Sequence, residues 1–208
     1  MFFEQVVMFL GAALLLALAP GPDSLGVLSL GIAQGRREAL GFSLGCAVGC
    51  INHTVLAVLG ISALIAASPT AFQVLQWLGA AYLIWIGVQL LRAQGTHFDS
   101  SVAGKGVAGF IPYFKRGLIA NAINPKVALF FLSFLPQFVR VDGWGASVQI
   151  AIFGTLFALV AASIFSVIAC FSAPIGVFLR GRAWVARWVD YTAGGLFIVL
   201  GGITAVGV

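Results

Sequence analysis

Charge is the scarcest property of this chain. Only 8% of its 208 residues are Asp, Glu, Lys or Arg, while 61% are hydrophobic. Water-soluble domains carry about a quarter charged residues, so this composition excludes a dispersed soluble domain and points to lipid. Cysteine is also scarce. Cys46, Cys50 and Cys170 are odd in number, form no CxxC pair and have no His at ligand spacing. That argues against a disulfide framework or a thiolate metal site and leaves them as small packing residues. No GxSxG, HExxH or nucleotide-binding loop occurs, and Ser24 and His53 stand in no recognised catalytic spacing. An enzyme, a metal site and a bound cofactor therefore have no footing here. Basic clusters are missing too: the net charge of +5 is spread over short loops in ones and twos, which excludes nucleic acid as a partner. Finally, LLLALA up to Ala19 looks like the apolar core of a signal peptide, but MFFEQ carries Glu4 and no Lys or Arg precedes Arg36. Without a basic start, the stretch reads as a retained membrane segment.

Apolar sequence in long runs is what the chain has in abundance. With about twenty residues as the minimum span of a hydrocarbon core, six segments stand out, at approximately 5–34, 39–66, 70–91, 113–138, 146–175 and 185–207. SPT at Ser68 to Thr70 turns the second into the third, since proline favours a helix start. The hydrophilic stretch RAQGTHFDSSVAGKG, with a solvated His97, divides the chain near its midpoint. The pattern predicts an all-α polytopic protein whose only domain, 1–208, is transmembrane. A first three-helix unit covers about 5–91, a cytoplasmic loop about 92–112 and a second unit about 113–207. Arg36, Arg37, Arg92, Lys105, Lys115, Arg116, Arg180, Arg182 and Arg187 fall in loops one, three and five, against Arg140 alone in the remaining loops and ends. The preference of Lys and Arg for the cytoplasmic side places those loops inside and both termini outside.

Two of the six segments carry a break. Thirty residues of helix would reach about 45 Å, against a hydrocarbon core of about 30 Å. LALAPGPDSLGVLSLG interrupts the first segment at Pro20, Gly21 and Pro22, because proline donates no backbone hydrogen bond and its ring displaces the preceding turn. LIANAINPKVALFFLSFLPQF is interrupted in the same way at Asn124 and Pro125. After each break comes a charge, Asp23 or Lys126, and then an apolar helix. The two charges lie 103 positions apart, close to half the chain. Three spans per half is an odd number, so the halves would be inverted repeats with a site at their paired broken helices. Lys126 follows Arg116 by about 15 Å of helix and Asp23 precedes Arg36 by about 20 Å, which puts both near the bilayer midplane. An ionisable group there costs about 2.5–3.5 kcal/mol on insertion scales, so partners are expected.

Asp23 and Lys126 admit two readings: a salt bridge that joins the halves, or a substrate or proton site where the two exchange partners. An amino-acid zwitterion suits the second. Its carboxylate would take Lys126 and the free N–H groups of a half-helix start, and its ammonium would take Asp23 and carbonyls freed by the prolines. Asn121 and Asn124 add neutral donors and acceptors, for substrate or for the broken backbone. In the second segment Gly41, Gly45 and Gly49 recur every fourth residue, with His53 next on that face and Asn52 beside it. The stripe predicts close helix packing. His53 is either a hydrogen-bonded packing residue or a proton carrier, for which its titration range is suited. Asp190, three residues after Arg187 near the start of the sixth segment, reads as part of a local surface pair or as a helix-start acid, and Trp77, Tyr82 and Trp85 as packing or interface aromatics.

APGPDSLGVLSLGIAQGRREALGFSLGCAVGCINH, SPTAFQVLQWLGAAYLIWIGVQLLR and FKRGLIANAINPKVALFFLSFLPQFV, in that order, resemble the LysE/RhtB family of bacterial amino-acid exporters over about residues 10–140. The last third resembles it mainly by hydropathy and glycine placement. The resemblance implies a small inner-membrane secondary exporter driven by proton exchange, with amino acids as substrate and protons and membrane lipid as further partners. The acid after PGP is similar to the RhtB branch, which handles homoserine, threonine, leucine or related neutral substrates. The family's motif positions fall on Pro20, Gly21, Pro22, Asp23, Asn124, Pro125 and Lys126. This reading leaves room for a homo-oligomer. Its competitors are a channel or a structural membrane scaffold, neither coupled to protons.

Overall fold

Prolines and glycines punctuate an otherwise continuous helical chain. The computed structural model describes residues 3–92, 109–140, 144–179 and 182–206, and every regular element among them is helical. His97, Lys105, Arg180 and most of the hydrophilic stretch lie outside the described residues. Helix α1 (Phe3–Leu18) stops just before Pro20, and α2 (Pro22–Ala33) restarts with proline at its first position, where the missing amide costs nothing. Gly35, at a φ of 110° that favours glycine, leads into α3 (Arg36–Ala67), and the SPT turn leads into α4 (Pro69–Arg92). The second half repeats the plan with α5 (Phe110–Ala122), α6 (Pro125–Leu129), α7 (Ala146–Leu179) and α8 (Ala183–Val206).

The apolar segments marked in the sequence agree with these helices to within a few residues. Among the described residues, four single helices are long and apolar enough to cross a membrane: Arg36–Gly60, Thr70–Arg92, Ala146–Leu179 and Arg187–Val206. The other two are bent pairs, with 50° between α1 and α2 and 48° between α5 and the Pro125–Phe138 stretch. The piece after the second break differs from the plain apolar helix expected. It is α-helical only to Leu129, widens to a π turn over Phe130–Phe134 and tightens to a 3-10 turn over Leu135–Phe138. Pro136 explains the change, since it brings no amide and its ring crowds the carbonyl four residues back.

Helix α3 is the hub, packed on α5 and α7, while α4 packs on α8 and α1 on α7. The glycine stripe makes the α3–α5 contact. A methyl on Gly41 or Gly45 would run into the carbonyl oxygen of Phe110 or Phe114, and one on Gly117 of α5 into that of Phe42. The two backbones touch, as the small-residue spacing predicts. Under α1, a cluster of rings from Phe9, Phe130, Phe138 and Phe153 packs at centroid separations of 4.7–6.2 Å. The outer surface is apolar instead of polar, with Leu59, Trp77, Leu78, Trp85 and Val177 all more than half exposed, as lipid contact requires.

One expectation is corrected here. Asp190 is fully buried, not a surface acid. It shares a helix face with Gly194, Phe197 and Gly201, and that face meets α4: a methyl on Gly194 would contact the Gly87 carbonyl oxygen at 2.7 Å. The spacing of four, three and four residues carried that signal in the sequence.

Gly45→Val is expected to lower the apparent melting temperature of the detergent-purified protein by several degrees, because overpacking costs about 1–3 kcal/mol. Gly60→Ala, where no neighbour lies within 4 Å, is expected to melt no lower than the parent. Equal melting of Gly45→Val and the parent would refute backbone contact at this seam.

Candidate functional site

At each proline break a backbone carbonyl loses its usual amide and gains a side-chain donor from elsewhere in the chain. In α1 the Leu16 carbonyl would bond the amide of residue 20, which is proline. The Lys126 ammonium donates to it instead, with Nζ to oxygen at 3.2 Å, and donates also to the Ala19 carbonyl at 3.0 Å. In α5 the Asn121 carbonyl would bond the amide of residue 125, again proline, and accepts the Asn124 amide at 2.9 Å instead. His53 Nε2 lies 2.8 Å from that oxygen and is its second donor. Such compensation is obligatory where water is excluded, because an unpartnered backbone group costs several kcal/mol in lipid.

The restarts are capped differently. At the first, the Gly21 amide donates to Ser24 Oγ at 3.1 Å, and the Ser24 hydroxyl lies 3.3 Å from both the Ala19 and the Gly21 carbonyl. At the second, Asn124 Oδ1 accepts from the Lys126 amide at 3.0 Å, an ordinary asparagine N-cap. Asp23 and Lys126 thus occupy the same place, each second in a helix that begins with proline. The Asp23 carboxylate sits well there, since a helix start favours negative charge, whereas the Lys126 charge opposes its own helix and reaches the carbonyl end of α1.

All five polar residues singled out in the sequence are buried here: Asp23, His53, Asn121, Asn124 and Lys126 are each at most 8% exposed. Asn52, beside His53, faces outward. Asn121 links the set. Its Nδ2 donates to Asp23 Oδ2 at 2.7 Å, its carbonyl takes His53, and its side chain lies where a methyl on Gly49 would intrude, at 2.8 Å. The two opposite charges share a site without bonding each other: Asp23 holds Asn121, and Lys126 holds α1. Between them is an internal cavity of about 10 Å³, lined by Asp23, Asn121, Lys126 and Cys50 together with Leu16, Val127, Phe157 and Phe165. That is room for about one water. Asp23 Oδ1, Asn121 Oδ1 and Asn124 Nδ2 are buried without a hydrogen-bond partner.

The breaking residues are accounted for as well. Pro20 and Pro125 remove the amides, Pro22 starts α2, and Gly21 makes room, since a methyl there would meet Lys126 Nζ at 2.7 Å. Sequence reasoning expected carbonyls freed by the prolines but named neither Leu16, which Pro20 four residues on marks, nor Ala19. It also passed over Phe197, whose ring centroid is 5.6 Å from Lys126 Nζ; nothing in its surroundings marks it out along the chain.

Residues 14–206 match the model of the LysE type translocator family. The chain belongs to that family. A homoserine/homoserine lactone efflux protein of Salmonella typhimurium is 30% identical over 205 residues, covering 99% of this chain and 98% of the relative. A leucine efflux protein of an Enterobacter species (strain 638) is 30% identical over 186 residues, covering 89% and 88%. A membrane protein of Vibrio cholerae is 28% identical over 199 residues, covering 95% and 94%. No solved structure gives a significant match. The LysE type translocator described here is therefore a multi-pass membrane transport protein, not an enzyme.

Asn121→Ala strips the Asp23 carboxylate of its donor, and leaving a buried group unsatisfied costs about 1–3 kcal/mol or more for a charge. The translocator carrying it is expected to melt several degrees below the parent in detergent, and Asn52→Ala to melt with the parent. The reverse order would show that the polar cluster contributes nothing to the fold.

Proposed function

We propose that this translocator is a secondary exporter of amino acids, neutral ones such as homoserine, threonine or leucine, across the bacterial cytoplasmic membrane in exchange for protons. The observation that carries the reading is the buried cavity at the two breaks. It brings together a carboxylate and an ammonium group, each second in a restarted helix and each with a helix end beside it. A zwitterion presents the complementary pair of charges. The efflux named for the Salmonella and Enterobacter relatives supports the substrate class.

Alternating access follows from size. A cavity of about 10 Å³ holds no amino acid, so loading requires the surrounding helices to part, first toward one side and then toward the other. The two bends, 50° and 48°, and the matched positions of Pro22–Asp23 and Pro125–Lys126 support six spans built as two inverted halves that rock about this site. The basic loops support both termini on the periplasmic side. Asp23 and His53 are the titratable partners available to a proton. A channel would need a continuous wet path, and the packed cavity favours a carrier over it.

The test is a time course of amino acids released by loaded cells, profiled by mass spectrometry. Cells with the parent, with Lys126→Ala at equal membrane abundance, and with empty vector are compared, with and without a protonophore. The parent is expected to release a narrow set of amino acids, a protonophore to abolish release against a gradient, and Lys126→Ala to lower it about tenfold or more, as loss of a charge-assisted contact predicts. Unimpaired release by the variant would remove Lys126 from the mechanism, and release no greater than vector would overturn the substrate class.

A further inference from the structure

In this conformation a positive charge already occupies the centre of the site, and its surroundings are those a substrate ammonium would want. The Lys126 Nζ donates to the Leu16 and Ala19 carbonyls, lies over the Phe197 ring at 5.6 Å, and shares a cavity with Asp23, whose Oδ1 has no hydrogen-bond partner. Two carbonyls, one of them stranded by Pro20, an aromatic face and a carboxylate make a receptor for a primary ammonium group. Nothing in that set is particular to a lysine side chain. The α-ammonium of an amino acid has the same three donors and the same charge.

Resting on the export reading, we infer that Lys126 is a tethered stand-in: in the empty carrier its ammonium fills the subsite that the substrate's own ammonium takes on loading. Three observations support the assignment. Lys126 is second in α6 with its charge against that helix's dipole, so it is held in place by the end of α1 and not by its own element. Pro20 leaves the Leu16 carbonyl without an amide, so the dock needs a cationic or polar donor at every stage of the cycle. Gly21 clears the space around Nζ, where a methyl would stand 2.7 Å away. When the substrate arrives, its ammonium replaces Nζ at the two carbonyls and Lys126 turns to the carboxylate of the same molecule. The number of charges in the site stays balanced, and no stranded carbonyl is left bare.

The inference separates two halves of the ligand, so it is tested with amines that lack the carboxylate. The probes are 3-methylbutylammonium and 3-hydroxypropylammonium, which are leucine and homoserine without their carboxyl groups. Their binding to the full-length protein in nanodiscs is measured by calorimetry for the parent, Lys126→Met and Lys126→Arg. Lys126→Met vacates the dock and is expected to bind at least one amine about tenfold tighter than the parent. Lys126→Arg keeps a cation there and is expected to bind like the parent. A folded Lys126→Met that binds both amines no tighter than the parent overturns the stand-in role. Should Lys126→Met show no cooperative melt, Lys126→Gln keeps donors for the carbonyls without the charge, and the same gain is expected of it and the same absence of gain overturns. Cellular release assays distinguish the two readings. Amino-acid release by the parent with no amine gain in the variants leaves export standing and removes the subsite. Amine gain in the variants with no release by the parent overturns export as the use of that subsite.

Discussion

Backbone carbonyls that prolines leave without an amide govern the centre of this protein. In water such groups would be hydrated; within a membrane they need a donor from the protein itself. The two breaks solve the problem with long-range contacts. Lys126 answers for Leu16, more than a hundred residues away in sequence, and His53 adds a second donor at Asn121, whose carbonyl also takes the Asn124 amide. Each break therefore tethers two distant parts of the chain, and removing Lys126 would leave the Leu16 carbonyl unpaired in a dry interior. The same contacts that close the fold also bring the ionisable residues together.

Close approach of helices makes those contacts reachable. Gly41 and Gly45 let α3 meet the backbone of α5, and Gly49 extends the same seam to the side chain of Asn121. His53 is one turn further along α3 and lands on the end of α5 at the break. The glycine stripe and the polar cluster are thus consecutive parts of one interface. A packing device delivers Asn121 to Asp23 within hydrogen-bond distance. On the other side of the site Leu16, Val127, Phe157 and Phe165 make the walls apolar, and the ring of Phe197 lies over Lys126. Low polarity around a small polar centre strengthens every electrostatic contact within it.

The polar centre is tightly packed. The cavity is small, its polar atoms are partly satisfied by one another, and several acceptor and donor positions on Asp23, Asn121 and Asn124 are left over. A ligand that supplied both charges would complete the set and displace Lys126 from the α1 carbonyls. Binding and helix movement would then be one event, because the same hydrogen bonds hold the helices together and receive the substrate.

Much of this was legible along the chain. Composition and segment length determined that the protein is helical and membrane-crossing, since lipid permits few other solutions for so apolar a chain. PGPD and NPK marked both breaks, because proline's lack of an amide acts locally, and the glycine spacing marked the α3–α5 seam. Only the tertiary structure decided who partners whom. Asp23 and Lys126 are opposite charges at similar depth, which suggests a pair, yet each bonds a different group, because a stranded carbonyl and an asparagine amide lay in better reach. Asp190 looked superficial near a helix start and is fully buried, because the face it shares with Gly194 and Gly201 is the one that meets α4. The loosening to a π turn before Pro136 follows a local cause but took its form from the packing of Phe130, Phe131 and Phe134. Backbone chemistry is written in neighbouring residues and can be read there; the choice among competing partners depends on distances between helices, and those exist only once the chain has folded.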